Sequence, residues 1–343
     1  MDRFFTVLER FAPEAVELIV IRYQILRQVM HQQPVGRRQL VKSLGYTERT
    51  VRNEIEVLRE RGAIHSTPAG ITLGSGGEEL LKEIDELIPF LLDIHTLGER
   101  LKRELQLREV VLVPGDSRQD PLVKKDLGRA AARYFRRILS PGSIVAVTGG
   151  TTLAEMADAI SEGGHMADVL VVPARGGLGE EMELQAGSIA AKIAKAIGAQ
   201  YRLLHIPDVL EEGTAEILRR DIHIAQMVET IRSSTILVHG IGSAIEMANR
   251  RGLPPHEVEY LRSHCAVGEA LRYYFDGKGN IVYEVPGIGL ELSDLERIHT
   301  VVAVAGGSNK AQAIKAVLRN RKDTVLITDE GAAKEMLKNH RKG

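Results

Sequence analysis

The chain has 343 residues, with 45 Lys and Arg against 46 Asp and Glu and a formal net charge of −1. That length exceeds one comfortable core and predicts two domains with a connector. The near-zero charge excludes a chain-wide bias toward nucleic acid, while a basic face in one domain offset by acid in the other is still allowed. The single cysteine, Cys265, excludes an intramolecular disulfide and a cysteine zinc site, and reads as a small core residue. The opening MDRFFTVLERF carries acidic residues and no long apolar region, so no signal peptide is expected. No stretch approaches a membrane span, and a cytoplasmic location is expected.

The first seventy-odd residues read as helices and a hairpin. In RRQLVKSLGYTERTVRNEIEVLRERGAI, Arg37 to Ile64, Leu40, Val41 and Leu44 edge a short helix that Gly45 can stop in the left-handed conformation. Thr47 can cap the next helix, whose buried stripe is Val51, Ile55 and Leu58. Helix, short turn with Gly, helix is the helix-turn-helix pattern. Near its N-terminus the second helix turns Arg49, Thr50, Arg52 and Asn53 away from the stripe, where base edges meet a recognition helix. Arg offers guanine, and Asn offers adenine, a bidentate match. Arg37, Arg38 and Lys42 suit phosphates, and Thr47 joins the DNA-facing set. Two strands, Ala63–Ser66 and Gly70–Leu73, flank Thr67-Pro68-Ala69 as a wing. Without the wing and the exposed Arg and Asn, the same helices would read as a protein-interaction module.

Gly74-Ser75-Gly76-Gly77 reads as a flexible break. A helical pattern follows from Glu78 to Gln106, with Leu80, Ile84, Leu87 and Leu91, then Ile94, Leu97, Leu101 and Leu105, on its seam, and Pro89 set to kink or divide it. The segment is either a helix packed on the larger domain or a dimerising connector. The expected domains are 1–75, 76–107 and 108–343.

From Glu109 onward apolar strands alternate with glycine turns and helices. Strands are expected at Val110–Val113, Ser143–Thr148, Val169–Pro173, Tyr201–Ile206, Thr235–His239, Thr300–Ala305 and Thr324–Thr328. This is the pattern of an α/β domain with a mostly parallel, Rossmann-like sheet. VAVTGGTTLAEM runs from strand through Gly149-Gly150, Thr151 and Thr152 into a helix, and VVAVAGGSNKAQAI repeats the arrangement with Ser308, Asn309 and Lys310. ILVHGIGSAIEMANRRG places Gly240, Gly242 and Ser243 at a strand end and Arg250 a helix later; VLVVPARGGLGEE puts Arg175 after another strand. Neither a Walker loop nor a dinucleotide fingerprint has the spacing found here. One such turn alone would be a tight strand-to-helix connection. Four of them, leaving strands at the same end, can converge on a ligand. Amides and hydroxyls at Gly149–Thr152 with Lys310 suit one phosphate, and Arg175 with Arg250 suits a second.

A winged helix joined to a domain with TGGTT and AGGSNK resembles the SorC-type bacterial sugar-responsive repressors, over essentially the whole chain. The resemblance implies an effector domain of the sugar-phosphate isomerase/deaminase type, a repressor of glycolytic genes, and fructose-1,6-bisphosphate as inducer with no cofactor or metal. It implies one phosphate site at Gly149, Gly150, Thr151, Thr152, Ser308, Asn309 and Lys310, and another at Arg175 and Arg250. Gln185 and Glu269 would lie near the sugar hydroxyls. It also implies a homo-oligomer, dimer or tetramer, bound to a double-stranded operator. The related deaminases carry an Asp-x-His dyad just after a strand-GIG turn. Here Ser243, Ala244 and Ile245 stand in that place, and His239 on the strand reads as a core or hydrogen-bonded histidine. The proton-transfer pair is missing, so a sensor is expected. The alternative is a sugar-phosphate enzyme fused to a winged helix; a kinase-type phosphotransfer protein lacks its loop and its metal-binding acids.

Overall fold

A computed structural model describes residues 2–161, 163–178 and 181–338. The chain divides after Thr96 into two compact units.

The smaller unit begins with helices α1 (Asp2–Phe11) and α2 (Pro13–Gln32). Helix α3 (Arg37–Leu44) ends at Gly45, whose φ of 73° lets its N–H reach the Val41 carbonyl. Helix α4 (Glu48–Glu60) starts at Thr47, whose hydroxyl accepts from the Thr50 N–H at 3.1 Å. Val51, Ile55 and Leu58 are buried as the spacing predicts. Strands β1 (Ile64–Thr67) and β2 (Gly70–Leu73) form an antiparallel hairpin with a two-residue loop, Pro68-Ala69, tighter than the three residues expected.

Helix α5 (Ser75–Leu91) starts inside the glycine stretch that reads as a break in the sequence. The glycines serve close approach instead. A Cβ on Gly74 would stand 2.5 Å from the Gly62 carbonyl, and one on Gly77 would collide with the Ala63 carbonyl. Leu81, Ile88 and Leu91 join one core with Ile25, Val29, Leu40, Val51, Ile55 and Ile71. The inward stripe is therefore one residue off the expected seam at its start, and Leu80 is exposed. Thus α5 belongs to the core of the smaller unit and not to the larger one. Pro89 is carried within α5; the division comes at Asp93, at φ 53°, before α6 (Ile94–Leu105).

The larger unit is built on seven parallel strands: β3 (Glu109–Val113), β4 (Ile144–Val147), β5 (Leu170–Pro173), β6 (Gln200–Tyr201), β7 (Ile236–Gly240), and further along the chain Thr300–Val304 and Val325–Asp329. Between them lie α7 (Pro121–Ile138), α8 (Thr151–Ala159), α9 (Ala186–Ile197), α10 (Glu212–Arg220) and α11 (Ile222–Arg232). After β7 come β8 (Gly242–Ser243), α12 (Ala244–Arg250), α13 (Pro255–Ser263), β9 (Ala266–Ala270), β10 (Tyr273–Asp276) and β11 (Ile281–Glu284). The chain closes with β12 (Thr300–Val304), α14 (Ala311–Leu318), β13 (Val325–Asp329) and α15 (Glu330–Lys338).

The spatial order is β3-β13-β12-β7-β4-β5-β6. From β4 the chain winds outward through β5 to β6, then returns to β7 on the other side of β4, so the direction of winding reverses between β4 and β7. Ligands in open parallel sheets bind at that crevice, outside the carboxyl ends of the strands. The strands other than β6 bury Val, Ile and Leu beneath helices such as α7 and α8, with Val145, Val147, Leu153, Met156, Val171 and Val238 in one core.

Three expectations are corrected. The strand expected over Tyr201–Ile206 stops at Tyr201, because the chain leaves the sheet edge to run along Gly177, whose N–H reaches the Ile206 carbonyl. A second sheet, β11-β10-β9-β8, is antiparallel and was not expected. Cys265 is exposed, at φ 53° in the turn after α13, and is no core residue. No helix among the described residues is long and apolar enough to cross a membrane.

Candidate functional site

In the smaller unit, α4 presents Arg49, Arg52 and Asn53 to solvent, and α3 presents Arg37, Arg38 and Lys42. Thr50 is half-buried, and its hydroxyl shares a hydrogen bond with that of Thr47 at 2.8 Å. Both threonines therefore shape the start of the helix. Arg37 lies 3.4 Å from Glu48. The inner side of α4 holds one residue that periodicity does not reveal: Glu54, buried, accepts from Arg22 Nε of α2 at 2.7 Å. A charge at that depth is tolerable only when paired, so the pair pins α4 to α2.

In the larger unit, a cavity open to solvent sits at the β4/β7 crevice. Its wall takes Thr148 to Leu153 after β4, Gly240 to Gly242 after β7, and Lys310 after β12. Arg175, Arg250 and Glu269 complete the polar wall; Leu178, Met247, Leu271 and Glu246 also line it. Four glycine turns thus meet, as their common direction predicts. The structure brings Gly149, Gly150, Thr151, Thr152, Arg175, Arg250, Glu269 and Lys310 to one cavity. Gln185, Ser308 and Asn309 are not on its described wall.

The loop after β4 is held from behind. Gly150, at φ 116°, donates its N–H to the Leu184 carbonyl at 2.8 Å. That amide is spent, contrary to the expectation that it faces a phosphate. The first bond of α8 runs from the Ala154 N–H to the Gly150 carbonyl. The amides of Thr151, Thr152 and Leu153 thus precede the first intrahelical bond at the positive end of the helix, a place that favours an anion. Thr148 Oγ1 accepts from the Gly240 N–H at 3.1 Å and ties this loop to the one after β7.

The Ser308–Lys310 turn is held by two carboxylates. Asp329, fully buried at the end of β13, accepts from the Gly307 N–H at 2.7 Å, from the Ser117 hydroxyl at 2.6 Å and from the Ser117 N–H at 2.9 Å. Asp116 accepts from the Ser308 N–H at 3.0 Å. Burial alone would raise the Asp116 carboxyl, but the bonds from Ser308 and Arg118 hold it below the usual range. Lys310 is left to enter the cavity. Burial pushes its ammonium below the usual lysine range; Glu246 and Asp329 oppose that, while Lys124 and Arg250 add to it.

Adjacent arginines at the end of α12 take different duties. Arg250 lines the cavity. Arg251 is buried and donates to Asp208 at 2.9 Å, Glu269 at 2.7 Å and the Tyr274 hydroxyl at 3.0 Å. Burial opposes the charge on Glu269, yet Arg251 and Arg175 hold its carboxyl below the usual range, so it meets a ligand as a carboxylate. His239 is buried beside Gly240; burial drops its pKa to about 4, so it is neutral near pH 7. Ser243 stands at the N-cap position of α12 without a side-chain capping bond, Ala244 is buried and Ile245 packs in a small core, and none of the three side chains is a base. Among the described residues no group of three or more His, Cys, Asp or Glu is placed to hold a metal ion.

The family described as "Putative sugar-binding domain" matches residues 91–338, and "CggR N-terminal DNA binding domain" matches 18–88. The central glycolytic genes regulator of Priestia megaterium is 43% identical over 98% of this chain and 99% of its own length. That of Bacillus subtilis is 38% identical, again over 98% and 99%. The chain belongs to the SorC family of transcriptional regulators, as a relative of the central glycolytic genes regulators. Among solved structures, a SorC-family regulator from Enterococcus faecalis is 38% identical, with a TM-score of 0.66, covering 71% of this chain and all of its own. The SorC-type chain thus joins an N-terminal DNA-binding domain to a larger sugar-binding α/β domain.

Sequence reasoning missed Glu246, Met247 and Leu271 on the cavity wall. Glu246 and Met247 lie within the very stretch that carries Arg250, three to four residues ahead of it, so helical spacing could have found them. Leu271 could not be found that way. It sits with Arg272 at the tip of the β9–β10 hairpin, both at positive φ, 55° and 87°. Such two-residue turns usually carry Asn or Gly.

Proposed function

We propose that this chain represses glycolytic genes by binding a double-stranded operator as a cytoplasmic homo-oligomer, and that a sugar bisphosphate, fructose-1,6-bisphosphate, weakens that binding. Its working parts are the DNA-binding unit up to Thr96, whose core takes in the first helix of the expected connector, and the effector unit that follows. The observation that carries the reading is one cavity whose wall gathers the start of α8, Lys310, Arg175, Arg250 and Glu269. The start of α8 with Thr151, Thr152 and Lys310 offers one anion grip; Arg175 and Arg250 offer a second; and the Glu269 carboxylate offers an acceptor for sugar hydroxyls. Ser308 and Asn309 then shape the Lys310 turn, and Gln185 shapes the entry to α9. Arg49, Arg52 and Asn53 read bases, while Arg37, Arg38 and Lys42 meet phosphates and Thr47 and Thr50 set the helix start. Two relatives carry the name of central glycolytic genes regulators, which supports glycolytic genes as the target.

Ligand and operator must weaken each other by the same factor, and a coupling of about 1–3 kcal/mol is ordinary. The test titrates fructose-1,6-bisphosphate into the protein–operator complex and assays the mixture for sugar products. Loss of operator affinity with the sugar intact is expected. Turnover, or unchanged affinity at saturating ligand, rejects the reading.

A further inference from the structure

Arg175 reaches the cavity with a counter-ion already attached. Its side chain is 6% exposed, and Nη1 lies 2.6 Å from Asp208 Oδ2. The same oxygen accepts from Arg251 Nε at 2.9 Å, and Arg251 Nη2 goes on to Glu269 Oε1 at 2.7 Å. The result is an unbroken buried chain, Arg175–Asp208–Arg251–Glu269. Two cations alternate with two anions. The ends, Arg175 and Glu269, line the cavity; the middle pair does not.

Asp208 is firmly placed. It is 1% exposed, and its N–H reaches the Gly177 carbonyl at 2.8 Å, two residues after Arg175. Its second oxygen, Oδ1, is buried with no hydrogen-bond partner. An ion pair of this kind is kept at a cost, since an unsatisfied carboxylate oxygen loses its hydration without replacement. The carboxylate therefore does something other than add stability cheaply.

We propose that Asp208 is a resident anion that sets the effector affinity of the Arg175 end of the cavity, and with it the preference for a bisphosphate over a monophosphate. This rests on the reading that Arg175 receives a ligand phosphate. In the ligand-free protein Asp208 neutralises Arg175 and occupies one of its donors. An incoming phosphate meets a cation whose field is half spent. Without the Asp208 charge, the wall holds two buried guanidiniums against one carboxylate. The phosphate then becomes the missing counter-ion, and electrostatics in a poorly hydrated wall outweigh a modest loss of alignment. Arg251 acts in the opposite sense: it shares the Asp208 oxygen, and its removal leaves that carboxylate wholly to Arg175.

Full-length protein is titrated calorimetrically with fructose-1,6-bisphosphate and with fructose 6-phosphate at fixed salt. For the wild type, tighter binding of the bisphosphate is expected. Asp208→Asn is expected to bind the bisphosphate tighter still, by about tenfold, with monophosphate affinity unchanged and a lower ligand-free Tm. A residue with a structural role alone would lose affinity, not gain it. Arg251→Met is expected to weaken the bisphosphate selectively; where Asp208→Asn does not fold, the smaller uncharged Asp208→Ser is expected to show the same gain and decides the matter. Bisphosphate binding by Asp208→Asn that equals or falls below wild type overturns the proposal while the effector reading stands. Failure of the wild type to bind either sugar overturns both.

Discussion

Thr148 Oγ1 accepts the Gly240 N–H at 3.1 Å and joins the two loops that flank the reversal of the sheet. Thr148 is buried, at the end of β4, and Gly240 closes β7. The bond fixes the separation of the threonine turn from the turn that leads to Arg250. Thr148→Val keeps the shape and removes the acceptor. An amide left unpaired there costs about 1–3 kcal/mol. Urea unfolding of the larger unit should show a lower midpoint with the same slope, and sugar-phosphate affinity should fall with it.

The two anion grips are expected to separate by substitution. Lys310→Ala or Thr152→Ala should weaken monophosphates and bisphosphates together, because both use the start of α8. Arg250→Ala should abolish the advantage of the bisphosphate and spare the monophosphate. Thermal shift gives the readout: a ligand at 100 times its Kd, binding only the folded form, adds about 2.7 kcal/mol. Equal losses for both ligands in Arg250→Ala would count against two separate grips.

On α4, Arg52→Ala should cost about 1–3 kcal/mol of operator binding and relax specificity at one base pair. Lys42→Ala should weaken every sequence alike and lower the salt slope by about one. Competition titrations at several salt concentrations distinguish the two. Unaltered specificity in Arg52→Ala would remove α4 from the major groove.

His239 predicts a pH dependence. Its folded pKa of about 4 lies below the ordinary histidine value of 6.5. Between those values the unfolded chain binds the proton that the folded chain refuses, so stability is full above about 6.5 and declines as pH falls toward 4. At pH 5 the loss is on the order of 2 kcal/mol. Unfolding midpoints from pH 7 to pH 5 should drop in wild type and stay flatter in His239→Phe.

Six of the seven strands of the parallel sheet were legible to within a residue or two because they are short apolar runs, while β6, at the exposed edge, was not. Ile144–Val147 and Thr300–Val304 are apolar runs that could be little else. The meeting of four loops was legible because parallel strands send their carboxyl ends the same way. The second sheet was not. Gly242–Ser243 is two residues long, and the Leu271-Arg272 turn carries none of the usual turn residues. Glycine misled at 74–77, where it lets α5 close on the Ala63 backbone and does not loosen the chain. Asp208, Arg251 and Glu54 were illegible for a common reason: a charged residue in a polar sequence reads as solvated until its partner, 32 or more positions away in two of these pairs, is placed beside it.

The bond from the Gly150 amide to the Leu184 carbonyl divides four consecutive residues by how their hydrogens exchange with solvent. In deuterated water the Gly150 amide should exchange slowly with or without effector, since its partner is internal. The amides of Thr151, Thr152 and Leu153, which open α8 without intrahelical acceptors, should exchange quickly in the free protein. A bound phosphate would slow these three and leave Gly150 as it was. The loop thereby carries its own internal reference, and occupancy of the cavity becomes readable from the ratio of deuterium uptake between neighbouring residues, independent of whether operator DNA is present.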